Sequence, residues 1–203
     1  MSDFGINEVK WAATVSARAM VGLEQELNDA DAKLGDGDTG GMLARVIGAL
    51  DGATIAADAD LGAAFSTYAR AAATATGSSL GTLFATALMT FAKETKGRSS
   101  APITELGPML GKARDTMMAR GGAKLGDKTV LDGLDAVAAA LEGISGGSDA
   151  RNKAAAAALV ALDEYRGKPN KIGRARMFAD ATIGMDDPGM LAFAKLCGAL
   201  AQD

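Results

Sequence analysis

Asn-Glu-Val-Lys-Trp-Ala-Ala-Thr-Val-Ser-Ala-Arg-Ala-Met-Val-Gly-Leu-Glu-Gln-Glu-Leu, residues 7–27, is one unbroken amphipathic stretch. Trp11, Val15, Ala19 and Leu23 recur at four-residue steps while Glu8, Lys10, Arg18 and Glu24 fall elsewhere, the pattern of a helix with one apolar face. Working outward, the same spacing predicts helices over residues 42–50, 61–75, 82–96, 103–119, 129–142, 149–166 and 188–201. Turn chemistry rich in Gly, Asp, Ser or Pro separates them at 35–41, 58–60, 77–81, 97–102, 121–126, 145–148 and 167–188. Alanine is abundant, leucine and methionine fall at helical spacing and aromatics are only 4%, so helices are favoured and no strand–helix alternation is visible. The expectation is an all-α bundle of eight helices forming a single domain over residues 1–203.

Composition removes several classes of function. Lysine and arginine number 21 against 25 acidic residues, a net charge of −4, which argues against a general nucleic-acid binder. Apolar runs are short and broken, so no membrane span is expected. The first residues show no cationic start with an apolar block, and a cytoplasmic location is the default expectation. Cys197 is the only cysteine and its neighbours suggest a buried helical thiol. Histidine is absent, which excludes Ser-His-Asp and Cys-His catalysis and the common histidine metal sites.

Against that background Asp31-Ala-Lys-Leu-Gly-Asp36-Gly-Asp38-Thr-Gly-Gly41 stands out. Asp-Gly pairs also make ordinary turns, but three carboxylates crowded on a glycine-rich loop repel one another unless a hard cation lies between them. An EF-hand does not fit, because a loop starting at Asp36 places Ile47 where its closing glutamate belongs. A magnesium site shared with a phosphate ligand fits better, since Gly40 and Gly41 lead into a helix whose first N–H groups can face an anion.

Three further junctions carry related chemistry. In Thr76-Gly-Ser78-Ser79-Leu80-Gly-Thr82 the serines can cap a helix or donate to phosphate. Residues 120–129 hint at a P-loop, but Asp127 intrudes between Gly126 and Lys128 and no strand precedes them; Asp127 is expected to cap the next helix. Late in the chain, Asp187 and Pro188 suit a helix start, whereas Arg174 and Arg176 in a glycine-flanked loop suit a phosphate clamp.

Taken in order, these four blocks resemble the L subunit of dihydroxyacetone kinase. Residues 27–40 are similar to that family's Leu-Asp-x-x-x-Gly-Asp-x-Asp-x-Gly block and residues 77–84 to Gly-Gly-x-Ser-Gly-x-Leu-Phe. Residues 126–132 are similar to Gly-Asp-Lys-Thr-x-x-Asp, and residues 173–189 to the ending Gly-Arg-Ala…Ile-Gly-x-x-Asp-Pro-Gly. The resemblance implies an antiparallel eight-helix barrel that binds ATP or ADP at one end through two Mg²⁺ ions. By it, Asp31, Asp36 and Asp38 are the metal ligands, and with Arg174 they form the catalytic set. Thr39, Gly40, Gly41 and Met42 lie at the phosphates with Ser78, Ser79 and Leu80. Gly121, Thr129 and Val130 fall near the adenine or ribose, and Arg174, Asp187, Pro188 and Gly189 close the pocket.

The chain departs from the family pattern at three positions. Thr39 stands where members fed by a phosphotransferase relay tend to carry histidine, which places this chain with the ATP-using branch. Met42 replaces a common asparagine and Leu80 interrupts the usual Ser-Gly pair.

In the resembled family a separate K-type subunit or domain holds the short ketose, dihydroxyacetone or a similar sugar, through a covalent bond to histidine. This chain has no histidine to form that bond. The expectation is therefore a kinase component that presents Mg·ATP to a K-type partner. The alternatives are a non-catalytic subunit that holds ADP for regulation or phosphorelay, and the L-like domain of a fatty-acid kinase. Whether the chain forms a homodimer is left open.

Overall fold

Helical spacing of the apolar residues becomes eight α-helices in the computed structural model, which describes residues 2–203. They are α1 (Ile6–Asp31), α2 (Thr39–Asp51), α3 (Leu61–Ala75), α4 (Ser79–Glu94), α5 (Leu106–Gly121), α6 (Val130–Ala140), α7 (Gly147–Arg166) and α8 (Pro188–Gln202). Each packs against the next in sequence, and α8 returns to pack on α1, closing a ring. Short connections make most successive helices antiparallel, and the longer 167–187 connection folds back so that Gly184 N donates to Arg166 O at the end of α7. Two three-residue strands, β1 (Asp3–Gly5) and β2 (Ser100–Pro102), pair antiparallel with Phe4 opposite Ala101 and pin the N-terminus beside the α4–α5 connection. These strands were not expected, because three residues carry no readable alternation.

The core lies inside the ring, where Leu27, Val46, Leu61, Ala64, Ala72 and Leu141 are at most 1% exposed. A smaller apolar cluster, Met117, Ala123, Leu131 and Leu134, sits under the α5–α6 connection. Alanine at many inward positions lets the helix axes approach closely. On α1 the buried residues are Ala13, Val15, Met20, Leu27 and Asp31, not the row Trp11, Val15, Ala19, Leu23. A four-residue step overshoots one helical turn by roughly 40°, so such a row walks off the buried face, whereas seven-residue spacing stays on it. Val15 alone of the expected row is buried.

Helix ends also shift, each for a capping reason. Ser78 accepts from the Gly81 N–H at 3.0 Å, so α4 starts at Ser79 and not at residue 82. Thr129, not Asp127, caps α6: its hydroxyl accepts from Leu131 N and its N–H donates to Asp132 at 2.8 Å. Asp127 instead accepts from the Lys124 N–H within the loop. Asp187 caps α8 as expected, accepting from Met190 N at 3.0 Å with Pro188 at the first helical position. Among the described residues no helix is long and apolar enough to cross a membrane. Burial pushes the Cys197 thiol up to about 12, so it stays protonated and unreactive at neutral pH.

Glycine marks a close contact between α3 and α4. A methyl at Gly62 on α3 would come within 2.7 Å of both the Ala92 carbonyl oxygen and Lys96 Cα, whereas a methyl at Gly22 on α1 meets nothing within 4 Å. Gly62→Ala should therefore lower unfolding stability by about 2 kcal/mol by forcing α3 from α4. Gly22→Ala should raise it by about 0.5–1 kcal/mol through helix propensity alone. Urea denaturation of the two variants checks the opposite signs.

Candidate functional site

Because direction alternates around the ring, the C-termini of α1, α3, α5 and α7 share one end with the N-termini of α2, α4, α6 and α8. The four sequence blocks are the four connections at that end. Contacts tie them together. A methyl on Gly81 would lie 3.2 Å from Met42 Sδ, linking the first and second blocks. A methyl on Gly189 would lie 3.7 Å from Val130 and 3.8 Å from Leu80, linking the second, third and fourth. Arg174 forms an ion pair with Asp36, joining the fourth block to the first.

The aspartate loop is built by local geometry. Asp31 is the last residue of α1, not a loop residue, and its carbonyl accepts from Leu34 N and Gly35 N in a tight turn. Leu34 plugs the core at 2% exposure, and Gly37 at φ +77° reverses the chain where a side chain would be strained. The Asp31 carboxylate then crosses the loop: Oδ2 accepts from Asp38 N at 2.9 Å and Thr39 N at 3.3 Å. Its Oδ1 occupies the space a Cβ on Gly35 would need. Asp31 is buried while Asp36 and Asp38 are exposed, and one carboxylate oxygen from each lies within 4.8 Å of the others. Three hard oxygen donors at that separation fit Mg²⁺ or Ca²⁺.

Several expectations for the phosphate side change. The start of α2 is not bare: besides Asp31 on Asp38 N and Thr39 N, Asn28 Oδ1 accepts from Gly41 N at 3.1 Å. Asn28 and Asp31, one turn apart on α1, cap α2 from outside. Gly40 serves close approach, since a methyl there would collide with the Glu24 carbonyl. Met42 is 2% exposed and its thioether packs beneath Gly81, so it forms floor and presents no donor. The Ser78 hydroxyl is engaged as a cap, whereas Ser79 is exposed at the first position of α4. Gly121, the last residue of α5, faces Leu83 of α4, and Val130 faces the Leu80–Gly189 contact, so both border the first turns of α4. Arg176 is exposed, and of the two arginines Arg174 reaches the aspartates.

One group escaped the sequence reading. Lys128 is 1% exposed and donates from Nζ to Lys168 O at 2.7 Å, Thr182 O at 2.9 Å and Arg166 O at 3.4 Å. Asn170 Nδ2 bridges Lys128 O at 3.0 Å and Asp187 Oδ1 at 2.9 Å. Lysine between Asp127 and Thr129 reads as solvated; its φ of +61°, which turns it inward, has no signature in residue identity.

Comparison with known proteins shows the family. The DAK2 domain family model matches residues 33–202. The chain belongs to that family. It is 32% identical over 186 residues to an L-erythrulose 1-kinase of Mycolicibacterium smegmatis, covering 88% of this chain and 32% of the relative. It is also 32% identical over 200 residues to an L-erythrulose kinase of Pectobacterium atrosepticum, covering 87% of this chain and 31% of the relative. A D-erythrulose kinase of M. smegmatis matches at 32% over 98% of the chain and 35% of the relative. The DAK2-domain chain thus spans about a third of the length of these relatives. The dihydroxyacetone kinase of C. freundii, solved in complex with AMP-PNP and Mg²⁺, shares the fold at a TM-score of 0.73 and 22% identity, covering 100% of this chain and 35% of that one.

Electrostatics at the α8 cap yield a pH expectation. Burial raises the Asp187 carboxyl to about 6, against the hydrogen bonds from Met190, Asn170 and Gly189 and the nearby Lys128 charge, which pull it down. The folded chain therefore holds an extra proton between about pH 4 and 6, and stability falls as pH rises through that window. Asp187→Asn retains a cap oxygen but cannot ionise. Its unfolding free energy should gain on the wild type by about 1–2 kcal/mol from pH 4 to pH 7, less than the full shift because the side chain keeps a solvent-facing edge. Urea titrations of both chains across that range give the difference directly.

Proposed function

We propose that this chain is the nucleotide-binding component of a short-ketose kinase, presenting Mg·ATP to a separate K-type subunit that holds the acceptor. The observation that carries the reading is the convergence of the three aspartates, Arg174 and four helix N-termini at one end of the ring. Support comes from the relatives, which are named erythrulose kinases, and from the shared-fold dihydroxyacetone kinase solved with AMP-PNP and Mg²⁺. Erythrulose and dihydroxyacetone are both short ketoses with a terminal hydroxyl, and that class is the proposed acceptor.

Asp31, Asp36 and Asp38 would hold two Mg²⁺ ions, which neutralise charge on the phosphoryl group in flight. The chain's own residues do the rest. Asp31 is held rigid by the Asp38 and Thr39 amides, so the first carboxylate is preorganised. Asp36 and Asp38 on the exposed loop complete the donor set. Arg174, already beside Asp36, supplies a planar cation able to bind a phosphate oxygen. The exposed Ser79 hydroxyl adds a donor on the same side, toward which the positive ends of the α2 and α4 dipoles also point. The base would lie between Gly121, Val130 and the Pro188–Gly189 turn. Phosphoryl transfer needs alignment and charge neutralisation more than covalent help, and this end of the ring is equipped for both. No histidine is available to hold a ketose, hence the partner.

Asp36→Ala should abolish Mg·ATP binding by calorimetry while changing unfolding stability by less than about 1 kcal/mol, because losing an exposed carboxylate also relieves repulsion. Unchanged affinity would remove the metal assignment. With purified chain, Mg·ATP and erythrulose or dihydroxyacetone, turnover is expected only once a K-type partner is added; brisk turnover without it refutes the two-component reading. ADP that co-purifies and does not exchange would favour a regulatory role instead.

A further inference from the structure

The connection between α7 and α8, residues 167–187, is a strap laid across the candidate site, carrying Arg174 at one point and Asp187 at its end. Apolar burial does little to hold it. Met177, Phe178, Ile183 and Met185 are exposed, Met177 by 75%, and a cleft of about 590 Å³ lined by Asp29, Lys33, Met185 and Leu191 separates part of it from α1. The strap's buried residues are Asn170, Ala175 and Thr182, too small or too polar to anchor it hydrophobically, and half-buried Ile172 packs on the small cluster of Met117 and Leu134. A backbone position at Ala179 with φ +45° adds local strain.

Polar bonds hold it instead: Gly184 N donates to Arg166 O, Lys171 N donates to Asp127 O, Arg166 pairs with Asp186, and Lys128 joins three carbonyls at once. The Lys128 ammonium has three donors and meets three carbonyls: Arg166 at the C-terminus of α7, Lys168 just beyond it, and Thr182 near the far end of the strap. The two ends of the strap are thereby clamped to one charge, seated where the α7 dipole is negative. Asn170 extends the clamp, donating to Lys128 O and to the Asp187 cap, while its N–H donates to Thr182 Oγ1 at 2.8 Å. Burial lowers the lysine's affinity for its proton, and Asp187 and Asp186 partly restore it.

We infer that Lys128 is a positioning residue: its ammonium sets the strap, and through it places Arg174 against Asp36 and the Asp187–Gly189 turn against Leu80 and Val130. The consequence for ligand binding rests on the nucleotide reading above; the clamp itself does not. Without the ammonium, Lys168 O loses its donor while Arg166 O and Thr182 O keep only the Gly184 and Met185 amides, so the strap lifts, while the ring, whose core lies elsewhere, remains closed.

Two variants separate the ammonium from the backbone. Lys128→Met keeps the length and removes the donors; Lys128→Gly suits the left-handed φ and leaves a slot. Trypsin cleavage at the exposed Arg174 and Arg176 reports the strap, urea unfolding reports the ring, and calorimetry with Mg·ADP reports the site. Both variants are expected to be cut at least tenfold faster with a nearly unchanged urea midpoint, and to bind Mg·ADP at least tenfold more weakly. Adding n-butylammonium to Lys128→Gly should restore protection of the strap, which a purely steric role would not allow. Unchanged cleavage overturns the inference, and so does a Lys128→Met chain that unfolds as a whole, since the lysine would then hold the ring. If the wild type itself ignores Mg·ADP, the nucleotide reading fails while cleavage still decides the clamp.

Discussion

An even number of helices alternating in direction around a closed ring must place half of its N-termini at one end, and the packing of α8 on α1 imposes that closure here. Everything at the candidate site depends on it. Four segments separated by some 40 to 50 residues of sequence become neighbours only because the ring closes, and they arrive with the positive ends of α2, α4, α6 and α8 facing the same way. The same closure brings the C-termini of α1 and α7 to that end, where Asp31 and the Lys128 clamp are found.

Two opposed electrostatic arrangements share that end. On one side three carboxylates gather with a single arginine beside them, a concentration of negative charge suited to a hard cation. On the other a buried ammonium is wrapped in backbone carbonyls and flanked by Asp187. The first is open to solvent at Asp36 and Asp38 and can exchange a ligand; the second is sealed and holds the strap that carries Arg174 to the first.

The helices were legible because apolar spacing and Gly, Pro and Asp punctuation are local signals; α3 from Leu61 to Ala75 matches its expected range, and Asp187 caps α8 as read. The aspartates were legible as a set because their crowding is visible in one dimension. What misled was competition among nearby candidates. Asp127 and Thr129 both suit an N-cap, and Thr129 prevails because Asp132 answers it three residues on. Met42 was expected at the phosphates from its place in the block, yet the inward face of α2 takes it into the core.

By itself the sequence determined an all-helical chain, the order of its four glycine-rich junctions, and the carboxylate-rich, histidine-free chemistry that points to a cation and excludes other catalysts. These are properties of residue identity and short spacing, which do not change on folding. Tertiary structure alone decided that the junctions meet, that Asn28 and Asp31 consume the amides of α2, and that Lys128 turns inward beneath the strap. Each depends on backbone direction and on partners far away in sequence: the sign of one φ angle, or a carbonyl 54 residues distant. No local pattern encodes either, because both follow from the ring closing.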